Sequence, residues 1–367
     1  MRKHWASTLV ASVALVVAAC GGSPTAGNSG SSAPAASEAD KVYEQINGMS
    51  GEERDKTLLD MAKKEGQLSL YTSNTDMDDV VKGFEDKYGL KVETYRANSE
   101  TVLQRVLQES SAKFQGADLI ETNAGELNAL QQQKLLAPYE GALRDKVRPE
   151  GQKDGWTADR FNAFVIGWNT NKVPAGSEPK SLKDLTAPQW KGRVGLEIGD
   201  VDWYAAMVDY YKSQGMSDQE VNDFFHQLAA NSKIAKGHTV MGELLAAGQF
   251  DVAPSIYSHT VANAAEKGAP VAWEVNGKPI EPVVLRPNGA GLMKSAKHPA
   301  MAVLFLDYLL TDGQKAIAGA NRIGAIPTAQ DPLAGVQTVS VPEEELLNNP
   351  QKWSDTYKKV TDAGGQT

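Results

Sequence analysis

Apolar positions along the chain change spacing in a regular order. From Asp40 to Lys64 the spacing is helical, with Leu58, Leu59 and Met61 on one stripe. After Lys63-Lys64-Glu65-Gly66 the pattern becomes strand, helix, strand, helix, strand. The strands are QLSLYTS, LKVETYRA and ADLIETNA, and the helices between them carry Val80, Val81 and Phe84, then Val102, Leu103, Val106 and Leu107. Alternation of this kind predicts a parallel sheet covered by helices. In an open parallel sheet the ligand crevice lies outside the carboxyl ends of the strands. Three loops become candidates on that ground: Ser73-Asn74-Thr75, Asn98-Ser99 and Glu121-Thr122-Asn123. Each precedes a helix whose first N–H groups have no intrahelical partner, so its polar side chains serve either as helix caps or as ligand contacts.

The middle of the chain reads as a second unit. RFNAFVIGWNTN and GRVGLEI are predicted strands. GDVDWYAAMVDYYKSQG opens with acids and continues as a helix, and SDQE at Ser217 to Glu220 is a capping box for the next helix, which carries Phe224, Phe225 and Leu228. KGHTVMGELLAAG, the strand FDVAPSIY and a short helix after Ser258 follow. Later, EPVVLRPNGAGLM reads as a strand and HPAMAVLFLDYLL as a helix with Pro299 in its first turn. TDGQ at Thr311 to Gln314 predicts another capping box, and a last helix lies in PQKWSDTYKKVTDA.

The amino-terminal pattern is of another kind. Arg2, Lys3 and His4 precede an uncharged apolar run through Ala19, and small residues precede Cys20, as in a secretory signal peptide. The residues VAAC resemble a bacterial lipobox, in which the cysteine is lipidated and becomes the new amino terminus. Cys20 is the only cysteine among 367 residues, so no disulfide forms within the chain. The following Gly, Ser, Ala and Pro residues have the composition of a flexible tether. An exported protein, anchored by lipid on Cys20 to the outer face of the cytoplasmic membrane or the periplasmic side of an envelope membrane, is expected.

Charge narrows the partners. The whole chain has a formal charge of −9, and removal of Arg2 and Lys3 with the signal leaves −11. An acidic body argues against nucleic acid and against a basic lipid-binding surface. Roughly 325 residues from Ala39 onward exceed what one hydrophobic core usually holds, so two lobes are expected. The predicted organisation is a signal peptide at 1–19, a tether at 20–39, and a first lobe over 40–163 with a helical extension at its start. A second lobe covers 164–283, a return to the first lobe 284–324, and a closing segment packed on the second lobe 325–367.

The order of AKKEGQLSLYTSNTD, ADLIETNAGELNALQQQKLLAPY, APQWKGRVGLEI, GELLAAGQFDVA and HPAMAVLFLDYLLTDGQKAI resembles the type II extracellular solute-binding proteins of ABC importers, in the branch that includes ferric-ion-binding proteins. The resemblance covers about Asp55 to Pro327. It implies an α/β, two-lobed fold of the periplasmic-binding-protein type. Each lobe is then a mainly parallel sheet flanked by helices, the two joined by hinge crossovers. It also implies a monomer that closes on a small-molecule solute and delivers it to the importer's permease subunits. Ferric-binding relatives typically present two adjacent tyrosines at the end of the strand that reads APSIY here. Tyr257 is followed by Ser258, so Tyr257 is the one phenol placed there, and it is the expected metal ligand if the cargo is ferric iron or an iron chelate.

The remaining candidates suit an organic anion or zwitterion. Ser73, Asn74, Asn98, Ser99, Thr122, Asn123 and Thr239 stand near helix amino termini that attract an anionic group. Lys236 and His238 add charge, while Glu121, Asp200 and Asp202 offer carboxylates to an amine. Trp203 and Tyr204 are predicted as a stacking or cation–π face, and Tyr257 and Ser258 as hydrogen-bonding groups. No cofactor is called for. GxSxG, HExxH and Walker-type motifs are absent, so an exported enzyme is disfavoured. A structural surface lipoprotein is the other competing class.

Overall fold

The computed structural model of the protein describes residues 37–329 and 331–366. The signal segment, Cys20 and the tether through residue 36 lie outside the described residues. Ser37 opens the first helix, α1 (Glu38–Asn47), through a capping box with Asp40. The stretch expected as one helix over 40–64 is two, because Gly48 to Ser50 interrupts it and Gly51 takes a φ of 64°, a conformation glycine adopts without a Cβ clash. The second helix is α2 (Gly51–Glu65), ended by Gly66 in the left-handed region.

The predicted alternation follows as β1 (Gln67–Thr72), α3 (Met77–Tyr88), β2 (Lys91–Arg96), α4 (Ser99–Ser111), β3 (Leu119–Asn123) and α5 (Ala124–Gln132). After the short β4 (Leu136–Ala137) comes a thirteen-residue strand, β5 (Thr157–Asn169), buried along its whole length. Next are β6 (Val194–Glu197), α6 (Val201–Ser213), α7 (Asp218–Ala230), β7 (Ser232–Ala235), α8 (His238–Ala246), β8 (Val252–Tyr257) and α9 (Ser258–Glu266). The short β9 (Val271–Ala272) and a hairpin of β10 (Glu274–Val275) and β11 (Lys278–Pro279) lead into the long β12 (Val283–Met293). The chain closes with α10 (Pro299–Leu309), α11 (Gly313–Gly319), β13 (Ile323–Gly324), β14 (Thr338–Ser340), α12 (Glu343–Asn348), α13 (Pro350–Thr361) and β15 (Gly365–Gln366). Ser217 forms its capping box with Glu220, and Pro299 occupies the first turn of α10. The box expected at Thr311 does not form: Asp312 is the N-cap of α11, and the Thr311 hydroxyl donates to the Asp307 carbonyl at the end of α10.

The strands make one continuous sheet in the order β15-β7-β6-β8-β5-β12-β3-β1-β2. β1 pairs in parallel with β2 and β3, and β6 in parallel with β7 and β8. Between the two sets run β5 and β12, antiparallel to each other and to their outer neighbours β8 and β3. These two long strands carry the chain between the lobes of a two-lobed α/β fold. Short parallel runs need helical crossovers, which explains why each set is wrapped by α3 to α5 or by α6 to α9.

Two apolar cores follow. One joins α2, α3 and α10 through Leu58, Phe84 and Phe305 and continues past β5 to Met241, Phe250 and Ile256 beneath α8. The other lies under α6, α7 and α13, where Trp203, Tyr204, Phe225 and Tyr357 meet. Trp203 and Tyr204, expected to face a solute, are 2% and 3% exposed. The reason is helical period: they share the inner face of α6 with Met207 and Tyr211, against Phe225 and Tyr357.

Candidate functional site

Strand register gathers the polar side chains. Across β5 and β12, Asn162 stands opposite Arg286 and Arg160 opposite Asn288, and Asn288 in turn faces Asn123 on β3. On the other side of β5, Phe164 stands opposite Tyr257 at the end of β8. The carboxyl ends of both parallel sets therefore converge on the middle of the two crossover strands, where open α/β sheets bind ligands.

On the first-lobe side, the Arg160 guanidinium contacts Glu121 and lies 3.2 Å from Asp159, with all three side chains at most 3% exposed. Thr72 donates its hydroxyl to Glu121 and accepts the Asn74 N–H at 3.0 Å. The Thr122 hydroxyl donates to Ser73 at 2.9 Å. Burial and the Glu121 charge push the Asp159 carboxyl up to about 7, against the opposing pull of Arg160. Arg322, from the loop before β13, donates to Asp76 at 2.8 Å and to Thr75 at 3.0 Å.

On the second-lobe side, Arg286 from β12 donates to Asp202 at 2.8 Å and to the Tyr257 hydroxyl at 2.7 Å. Tyr257 stacks on the His238 ring with centroids 3.7 Å apart and on His259 at 5.3 Å. His238 Nε2 meets Asp200 Oδ1 at 2.8 Å. Burial raises the Tyr257 phenol above its ordinary value and outweighs the opposite effect of Arg286, so the hydroxyl keeps its proton. Burial drives the His259 imidazole well below its ordinary value, and the charges of Arg322 and Arg160 act in the same direction.

Of the sequence candidates, Ser73, Asn74, Glu121, Thr122, Asp202, His238 and Tyr257 fall in this constellation. Asn123 is tied to Asn288 at 2.6 Å, and Ser258 is buried beside Tyr257. Asn98 is exposed and caps α4 by accepting from Thr101 N at 2.8 Å, while Ser99 hydrogen-bonds Glu126. Lys236 and Thr239 are exposed. Trp203 and Tyr204 belong to the core. Sequence reasoning missed Asp159, Arg160, Arg286 and Arg322, although charged residues inside otherwise apolar strands were a signal.

Beside the Arg286–Asp202 pair lies a cavity of about 260 Å³. It is bounded by Ala124 and Gly125 at the start of α5 and by Leu346 and Leu347 near the end of α12. Its walls are mostly apolar, and its charged lining residues are Asp202, Arg286 and Glu343, so both signs are offered to a solute.

Residues 116–355 match a family described as bacterial extracellular solute-binding proteins. The chain is similar to the Fe(3+)-binding periplasmic protein of Serratia marcescens, 24% identical over 62% of this chain and 68% of the relative. It is also similar to iron uptake protein A1 of a Synechocystis strain, 23% identical over 76% of this chain and 81% of the relative. Among solved structures, iron-bound HitA from Pseudomonas aeruginosa aligns with a TM-score of 0.66 and 24% identity, covering 80% of this chain and 99% of HitA. AfuA from Actinobacillus pleuropneumoniae with bound fructose-6-phosphate aligns with a TM-score of 0.66 and 20% identity, covering 81% and 99%.

Proposed function

Because the chain belongs to the bacterial extracellular solute-binding proteins, we propose that it captures a small zwitterionic organic solute between its lobes and hands it to the permease of an ABC-type importer. The observation that carries the choice of solute is the Arg286–Asp202 pair at the wall of a mainly apolar cavity whose other charged lining residue is Glu343. An acid group on the solute meets Arg286, an amine meets Asp202, and the body lies against Leu346 and Leu347. The crossover strands bend as the lobes close, so the solute biases an existing open and closed equilibrium. Native mass spectrometry of the purified protein tests this directly. A retained zwitterion of a few hundred daltons is expected, and a retained cation or purely cationic molecule would overturn it.

A second reading, ferric iron as cargo, draws on the iron-binding relatives and on Tyr257, the one phenol of the constellation. Fe(III) favours phenolate and carboxylate oxygens. Here the phenol keeps its proton and accepts from Arg286, and Ser258 stands beside it. Titration with Fe(III) citrate is therefore expected to give no visible phenolate-to-iron band. A band that saturates at one iron per protein and vanishes in Tyr257→Phe would replace the organic solute with iron. Against a zwitterion, Tyr257→Phe is expected to weaken binding by about 1 kcal/mol, one hydrogen bond, because the ring stays and only the hydroxyl goes.

We also propose a lipid anchor on Cys20, supported by the VAAC pattern and the tether composition. No described helix is long and apolar enough to cross a membrane, so in this reading the lipid alone holds the protein. Cys20→Ser is expected to release it from membranes or to leave the signal uncleaved. A processed Cys20→Ser protein that still sediments with membranes would sink the assignment.

A further inference from the structure

Glu197 ends β6, Asp200 caps α6 and His238 opens α8 after β7, so two neighbouring parallel strands deliver all three to one spot. Among the described residues they are the one group of three or more His, Cys, Asp or Glu side chains able to share an ion, with one donor atom from each lying within 4.8 Å of the others.

Three observations say that this is more than an acidic patch. The Asp200 side chain is 3% exposed and its Oδ1 meets His238, yet its Oδ2 has no hydrogen-bond partner. His238 Nδ1 is also buried without a partner. Glu197, in contrast, is fixed in place: Oε1 accepts from Gly237 N at 2.7 Å and Oε2 from Gly199 N at 2.5 Å. Buried polar atoms are normally satisfied, and two carboxylates held close together repel unless a positive charge lies between them. A cation bound by Asp200 Oδ2 answers both that unpaired oxygen and the repulsion between the carboxylates.

We propose that Glu197, Asp200 and His238 form a binding site for a divalent first-row transition cation, held by two carboxylate oxygens and one imidazole nitrogen. Such a donor set suits Zn²⁺, with bonds of about 2.0–2.2 Å and a fourth position left for water or another ligand. Two donors of one tetrahedral Zn²⁺ stand about 3.4 Å apart at these bond lengths, so on binding His238 Nε2 and Asp200 Oδ1 part from their 2.8 Å contact. The Gly199 and Gly237 N–H groups orient the Glu197 carboxylate from behind, as outer-shell donors do in metal sites. Because the His238 ring stacks on Tyr257, the ion lies next to the solute site; it takes the His238–Asp200 pair and leaves the Arg286 contacts to Asp202 and Tyr257 in place.

This site stands independently of which solute the cleft takes, and it is tested without any solute. The mature protein, stripped with EDTA and dialysed, is titrated with ZnCl₂ by calorimetry. One equivalent is expected to bind. Asp200→Asn and His238→Gln are each expected to weaken that binding by at least about 100-fold, the upper end of what outer-shell substitutions alone cost. Tyr257→Phe is expected to leave it unchanged, which separates this site from a ferric one built on the phenol. Zn²⁺ is also expected to raise the Tm of the wild-type protein. Absence of that rise, or equal affinity and stoichiometry in wild type and both variants, overturns the proposal. The wild-type Tm measurement decides the matter even where a variant does not fold.

Discussion

Arg160→Met is expected to destabilise the protein by about 3–5 kcal/mol, the cost of removing one partner from a buried ion pair. Arg160 is the shared counter-charge for Glu121 and Asp159, and neither carboxylate is exposed. Methionine nearly matches the volume, so the loss reports the uncompensated acids and not a cavity. The pH dependence supplies a second signature. An acid whose folded value is raised binds more protons in the native state than in the unfolded one, so it lowers stability as pH rises. For Asp159 that penalty is absent below the unfolded value near 4 and complete above about 7. Without Arg160 the Asp159 carboxyl rises further, so the variant is expected to lose most at pH 8 and least near pH 5. Urea unfolding at the two pH values measures the difference. Adding Glu121→Gln to Arg160→Met should recover part of the loss; simple additivity of the two substitutions would show that the pair is not coupled.

That buried triad also marks where the sequence was hard to read. The spacing of apolar residues located β1 to β3, β6, β8 and the helices beside them, whereas β7, Ser232 to Ala235, was not read as a strand. β5 was legible only as RFNAFVIGWNTN, since Thr157 and Asp159 do not extend its apolar run even though the strand is buried from end to end. Arg286 was not singled out within the strand read from EPVVLRPNGAGLM. Sequence periodicity registers hydropathy and not pairing, and an arginine balanced by a carboxylate more than 80 residues away reads as surface. The partners Asp202 and Glu121 were visible as polar loop residues at strand ends, but the guanidinium groups that hold them come from crossover strands no local pattern connects. Trp203 and Tyr204 show the converse error. Their place just after the acids of Gly199 to Asp202 suggested a cleft face, whereas the turn of α6 directs both into the core. The break between α1 and α2 had a readable signal, in the Gly48 to Gly51 stretch with Ser50 as N-cap.

Tyr357→Ala is expected to cost about 3–5 kcal/mol, the range for truncating a buried aromatic. The ring is 1% exposed and stacks on Tyr204 with centroids 5.1 Å apart. Trp353 and Val360 of the same helix sit in that core, so the closing helix α13 packs on α6 and α7. Tyr357 also reaches the ligand side. Its hydroxyl donates to the Glu197 carbonyl at 2.7 Å, at the start of the turn that presents Asp200 and leads into Asp202. Tyr357→Phe separates the two roles: the ring remains, the hydrogen bond goes, and the expected loss of stability is about 1 kcal/mol. If the hydroxyl positions that turn, the Phe variant loses solute affinity out of proportion to its small change in stability, because Asp202 is held less firmly against Arg286. Chemical denaturation and solute titration on the two variants give the answer. Equal destabilisation by Ala and Phe would remove the core role, and unchanged solute affinity in Tyr357→Phe would remove the link from α13 to the cleft.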